Sequence, residues 1–279
     1  MSKLIITCAL CGVGTTKAQN PNVPITPDEI AVDATECVKA GASVLHIHVR
    51  DESGVNTMDK NIFVEVVGKI RASLAKEGLD AVINVTTSGS KFSYEQRVSH
   101  LELVKPEMCS YDPGSMNWAN SYVFLNEPKF LEELGTITQK LGVKPELEIF
   151  DAGMIGNINF YIKKGFLKPP CHVQLVLGVS GGMPGNAESV AYLLPKIPAG
   201  STWSITGIGP SHVPCMLIGL AEGCNGLRVG LEDNIFFSKG VLATNPQLVA
   251  RAVEFGKLAG REIANAAEAR EILGVTKPV

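Results

Sequence analysis

The run VLHIHVRD at 44–51 sets His46 and His48 two positions apart in a segment otherwise built for a β-strand. Side chains alternate faces along a strand, so both imidazoles point one way while Leu45, Ile47 and Val49 point the other. Two imidazoles on one face can grip a single divalent ion, and one further carboxylate would still leave room on it for water or substrate. The competing reading is a pair of buried histidines, each satisfied by its own hydrogen bond. Other groups with chemistry to offer are scattered: Glu146 and Glu148 on one face of PELEIF, Arg228, Glu232 and Asp233 in RVGLED, and hydroxyls at Thr15, Thr86 and Ser115. Gly181 and Gly182 lie in the loop GVSGGMPG, whose glycines would let backbone approach a carboxylate or a thioester carbonyl, or simply make a tight turn.

These residues can act together only if the fold gathers them. Apolar, β-branched runs over 4–10, 43–50, 81–87, 108–112, 146–150, 172–179, 202–208 and 226–232 read as strands. Amphipathic stretches lie between them, such as TPDEIAVDATECVKAGA, where Thr26, Pro27 and Glu29 make a helix start and Gly41 an end. Strands joined by helices run parallel, and about eight such units in a chain of 279 residues point to a (β/α)8 TIM barrel, expected as a single domain over 1–279. The rival is an open doubly wound sheet, but CGVGTT after the first strand lacks the dinucleotide-binding glycine pattern. EAREILGV is expected to form an extra C-terminal helix packed outside.

Barrel chemistry collects at the C-terminal ends of the strands, where the residues singled out above fall, Glu146 excepted. Glu232 is the favoured third metal ligand, because the first and last strands of a closed barrel are neighbours and the second is one further round. Glu148, across the barrel, is the alternative ligand and otherwise an acid or base facing the metal. Zinc and ferrous iron both suit the ligand set, and zinc is favoured because an iron oxygenase would need further sites. Arg228 and Asp233 read equally well as a structural ion pair. GIGPSHVP leads into a helix start that could hold phosphate or place His212 as a cap. His100 is expected on a solvated helix face, and His172 at the wrong end of the barrel.

Composition narrows the classes. An apolar fraction of 45%, a charged fraction of 19% and a net charge of −3 describe an ordinary globular chain with a large core and no basic field for nucleic acid. The first apolar run is too short to span a membrane and reads as the first strand. Seven scattered cysteines suit reduced thiols in a cytoplasm, with Cys8 and Cys11 structural.

The motifs ITPDE, AGASVLHIHVRD, KPEMCSYDPGSMNW, PELEIFDAGM, VLGVSGGMPG, SITGIG and RVGLEDNIF run in this order over nearly the whole chain. Together they resemble the β-keto acid cleavage enzyme family. The resemblance implies a (β/α)8 barrel that binds Zn2+, assembles as a homotetramer, and converts a β-keto acid plus acetyl-CoA into acetoacetate and a new acyl-CoA. It puts His46, His48 and Glu232 at zinc-ligand positions, Glu148 facing the metal, and Arg228 with Asp233 in charge of the nucleophile. Thr86 and Ser115 fall on hydroxyl positions that hold the substrate carboxylate. In members acting on an amino-substituted keto acid, a first-loop glutamate is expected to meet the ammonium group. Here that position is Gly14, so a neutral or acidic side group is expected. The alternatives are a metal-dependent retro-aldol lyase or hydrolase working without CoA.

Overall fold

In a computed structural model, which describes residues 3–278, eight parallel strands close on themselves. They are β1 (Ile5–Ala9), β2 (Val44–Ile47), β3 (Val82–Val85), β4 (Met108–Tyr111), β5 (Lys144–Ile149), β6 (His172–Leu177), β7 (Thr202–Gly207) and β8 (Gly226–Val229). Each pairs with the next and β8 with β1, so the sheet has no edge and takes the TIM-barrel form. Almost every strand residue is buried, because one face fills the barrel and the other lies under the helices. That double burial is why the strands read as continuous apolar runs.

The helices begin where the sequence says they should. Thr26 Oγ1 accepts from Glu29 N at 3.2 Å while Glu29 Oε2 accepts from Thr26 N at 3.1 Å, and Gly41 ends the same helix, Pro27–Ala40, at φ 115°. Such caps contribute about 1 kcal/mol each. Among the described residues, no helix is long and apolar enough to cross a membrane.

Three expectations are corrected. The C-terminal helix, Ala266–Leu273, does not lie outside the barrel but closes its N-terminal mouth. Its Ala269 and Leu273 pack on Ile5, Val44, Val82 and Met108, the first residues of β1 to β4, which an open floor would leave wet. Arg270 holds it there, bonding Glu107 at 2.8 Å and Asp80 at 2.7 Å. The second predicted strand is divided: Val44–Ile47 belongs to the barrel, whereas Val49–Arg50 turns out to pair antiparallel with Asn56–Thr57. The last strand stops at Val229, so Glu232 stands in the loop beyond it, with its N–H 3.3 Å from Ala9 O.

Candidate active site

Adjacency of β8, β1 and β2 decides which groups can meet. His46 in β2, His48 one residue past its end and Glu232 beyond β8 offer ligand atoms that all lie within 4.8 Å of one another. His46 Nε2 and His48 Nε2 stand 3.6 and 3.3 Å from Glu232 Oε1. Ligands about 2.0–2.1 Å from a tetrahedral ion are about 3.4 Å apart, so these spacings suit an ion at the centre of the triad. Glu232 Oε2, buried and without a partner, is a second sign of an unmet cation. Burial holds His46 well below its ordinary pKa, in the neutral form that metal ligation needs. A second set, His46 with Glu146 and Glu148, also lies within 4.8 Å, but its carboxylates are already engaged by Asn84 and Arg228.

Arg228, projecting from β8 and almost wholly buried, ties the acids together. Its Nη1 donates to Glu148 Oε1 at 3.1 Å, its Nη2 to Glu232 Oε1 at 2.7 Å, and its Nε to Asp233 Oδ2 at 2.9 Å. Burial opposes the guanidinium charge, but Asp233, Glu148 and Glu232 outweigh it and raise its pKa well above the ordinary arginine value. Burial would also raise the Glu232 carboxyl, yet His48, Arg228 and His46 hold it well below the usual carboxylate range. Glu148 goes the other way. Burial pushes it well above that range against the pull of Arg228, with Asp112 and Glu146 adding repulsion. Asp233 is likewise raised by burial, despite Arg228 and a bond from Thr206 Oγ1 at 3.2 Å. One guanidinium would not neutralise three ionised carboxylates; the upward pull of burial on Glu148 and Asp233 lessens that excess, and a cation at the triad would lessen it further.

The remaining predicted residues are placed unequally. Thr86 is buried just past β3, its Oγ1 accepting from Ser88 N at 2.9 Å. Thr15 is half-buried and donates to Leu231 O, next to Glu232 in the chain, at 3.0 Å. Ser115 is exposed, and its Oγ accepts from Asn126 N at 2.8 Å, bracing a loop. Gly181, at φ 94°, and Gly182 press on backbone: an added Cβ would come within 1.9 Å of Asn117 O and 2.7 Å of Phe150 O respectively. The packing of that loop is therefore enough to require both glycines. Ser110, a residue without a motif to mark it, is buried at the end of β4 with its Oγ 2.9 Å from Thr87 N. Arg50 braces the first loop, donating to the carbonyls of Cys11, Gly12 and Thr15, and also to that of Gly54, at 2.9–3.2 Å.

The other histidines stand apart. His100 is fully buried, not solvated, and lies flat on Phe63 with ring centroids 4.0 Å apart. Burial depresses its pKa to about 3, and a neutral imidazole has an apolar face to offer. His172 sits at the N-terminal end of β6, bonding Thr202 and Ser204. His212 is buried at a helix start, with Nδ1 3.0 Å from Arg251 Nη2, and makes no cap.

The model of one protein family, described as beta-keto acid cleavage enzyme, matches residues 3–275. The chain belongs to that family. A relative from Fusobacterium nucleatum subsp. nucleatum, named 3-keto-5-aminohexanoate cleavage enzyme, is 40% identical over 99% of this chain and 100% of its own. Another, from Rhizobium meliloti, is named 3-dehydrocarnitine:acetyl-CoA trimethylamine transferase and is 34% identical over 99% of this chain and 97% of its own. The apo structure of ObcA superposes with a TM-score of 0.79 at 22% identity, over 93% of this chain and 66% of that one, a likeness of fold. This chain is thus a C–C bond-cleaving β-keto acid enzyme built on a closed barrel.

In this family member the first loop is shaped around Glu232. Gly12 has φ 56°, and a Cβ there would lie 2.5 Å from Glu232 Cγ. Gly12→Ala therefore strains the backbone and displaces a carboxylate of the triad. Metal affinity, measured by chelator competition, should fall by about tenfold or more. Unchanged affinity would show that Glu232 has room to move without consequence.

Proposed function

We propose that this enzyme is zinc-dependent and converts a β-keto acid and acetyl-CoA into acetoacetate and a new acyl-CoA. The observation that carries this reading is the triad of His46, His48 and Glu232 meeting the Arg228 cluster at one barrel mouth. Zinc held by the triad would supply Lewis-acid polarisation of the keto oxygen. Asp233, oriented by two hydrogen bonds from Arg228, removes a proton from C2 of the keto acid. The carbanion electrons form a bond to the acetyl carbonyl carbon as the acetyl–sulfur bond breaks and CoA thiolate leaves. The thiolate then bonds to C3, the C2–C3 bond breaks, and acetoacetate departs after regaining a proton. Glu148, whose carboxyl burial holds protonated more readily than usual, supplies that proton, and the one taken up by Asp233 passes to Glu148 before the next turnover. Thr86, Thr15 and the Gly181–Gly182 loop line the substrate side, with Ser115 bracing the neighbouring turn. Product analysis with and without acetyl-CoA tests the reading; cleavage that proceeds unaided would favour a retro-aldol lyase.

Substrate choice rests on Gly14. The Fusobacterium relative is named for an amino compound, which favours a cationic side group by likeness. Against that, Gly14 gives an ammonium no carboxylate in the first loop, so the enzyme should prefer neutral or acidic side groups. A Cβ added at Gly14 would meet nothing within 4 Å. Gly14→Glu should accordingly raise kcat/KM for a 5-amino-3-keto acid by about tenfold or more, the value of one charge-assisted hydrogen bond. A parent enzyme that already prefers the amino compound over its hydroxy, alkyl and dicarboxylic counterparts would refute this specificity.

A homotetramer is part of the same reading. The exposed Phe236, Phe237, Val241 and Leu242 of one hairpin would gain from a partner's cover. Seven buried free thiols agree with a reducing cytoplasm.

A further inference from the structure

The interior below the barrel mouth holds two buried polar groups that the reaction does not use. Asn84 of β3 pairs in register with His46 of β2, and Glu146 of β5 shares its strand face with Glu148. Asn84 Nδ2 donates to Glu146 Oε2 at 2.6 Å. With its nitrogen committed, the amide is left with Oδ1, which is buried and has no partner. Its neighbour in register has the complementary lack: His46 Nδ1 is buried and unpartnered, while Nε2 faces Glu232. An amide oxygen and a ring nitrogen, both buried and both unmet on residues paired in register, are complementary in what they lack.

We propose that Glu146 and Asn84 form a positioning chain for His46: the carboxylate fixes which way the amide faces, and Asn84 Oδ1 takes the Nδ1 proton of His46, leaving the Nε2 lone pair free for the ion. The inference rests on the zinc reading above. Each link has a physical reason. A neutral imidazole carries one proton on either nitrogen, and only the Nδ1–H form can ligate through Nε2. An asparagine amide can turn over, and if it did, its NH2 would meet the Nδ1–H donor to donor. Burial raises the Glu146 pKa, against the pull of Arg228 and of the bond from Asn84; in its ionised form the carboxylate can only accept, and so prevents that turn. Glu146 and Asn84 touch no reacting atom on this account; they act through His46.

Zinc affinity, read by chelator competition and independent of turnover, tests the chain in the full-length protein. Asn84→Leu removes the acceptor and should weaken zinc binding by about 10–100-fold, the usual cost of losing a group that orients a metal ligand. Glu146→Gln frees the amide to turn over and should weaken binding as well. The double exchange Asn84→Asp with Glu146→Gln reverses donor and acceptor between the two positions but keeps an oxygen facing His46, so affinity should recover. Should Asn84→Leu fail to fold, Glu146→Gln and the double exchange decide. A double variant no better than Glu146→Gln alone overturns the chain. So does a lowered melting temperature with unchanged zinc affinity, the outcome of a merely structural role. A parent protein that binds no zinc overturns the zinc reading and the chain with it, whereas tight binding by both parent and Asn84→Leu overturns the chain alone.

Discussion

His48→Ala protein should purify with little zinc and turn over its β-keto acid at about a thousandth of the parent rate or less. The triad has only two nitrogen donors, and His48 Nε2 is the one nearer Glu232, at 3.3 Å. Without it, His46 and one carboxylate oxygen remain, too few to hold zinc against water and chelators. Loss of Lewis-acid assistance worth several kcal/mol then gives the expected rate. A control separates metal loss from general damage. Glu148→Gln removes the proposed proton carrier but leaves the three proposed ligands in place, so it should lower turnover while zinc content stays near one per chain. Elemental analysis and steady-state rates on the two proteins check the pair. Full zinc occupancy in His48→Ala would show that other residues hold the ion.

How much of this was legible in the sequence depends on which partner a residue meets. The barrel was readable because alternating buried strands and amphipathic helices leave a periodic record over the whole chain. Strand ends were less so: Leu231 is apolar and buried, and so extends the pattern of β8, although the ladder has already ended at Val229. His46 and His48 declared themselves through a period of two, and Glu232 through the adjacency that closure imposes. Arg50 is legible as a rim residue but its partners are not, because they are backbone carbonyls, which every residue carries. The link from Glu146 to Asn84 spans β5 and β3, with β4 between them, and depends on which interior side chains reach across the barrel. His100 misled for a related reason. Helical periodicity marks a polar face, but a neutral imidazole stacked on Phe63 behaves as an aromatic. The C-terminal helix was visible as a helix; that it would plug the barrel floor followed only once the floor residues were known to be apolar and otherwise uncovered.

Arg228→Met should cost the metal-free protein about 3–5 kcal/mol of folding stability at about pH 8, and the deficit should shrink at about pH 5. The guanidinium is the only cationic side chain bonded to Glu148 and Asp233 among the described residues, and it also bonds Glu232. Methionine fills similar space but leaves three buried carboxylates facing one another. The sign follows from each group. Glu232 has a folded pKa below its unfolded value, so in the parent it contributes stability above the unfolded pKa and loses it as pH falls through the folded one. Glu148 and Asp233 have folded pKa values above their unfolded ones, so ionising them costs stability above the folded pKa, a cost that disappears as they protonate. Taking Arg228 away removes a downward pull on all three and moves every folded value up. The variant then binds more protons folded than unfolded over a wide range of pH, and mild acid relieves it. Urea unfolding of both proteins in chelator at the two pH values measures the effect. An equal deficit at both would mean that the acids are already protonated beside Arg228, and that the cluster carries less charge than its geometry demands.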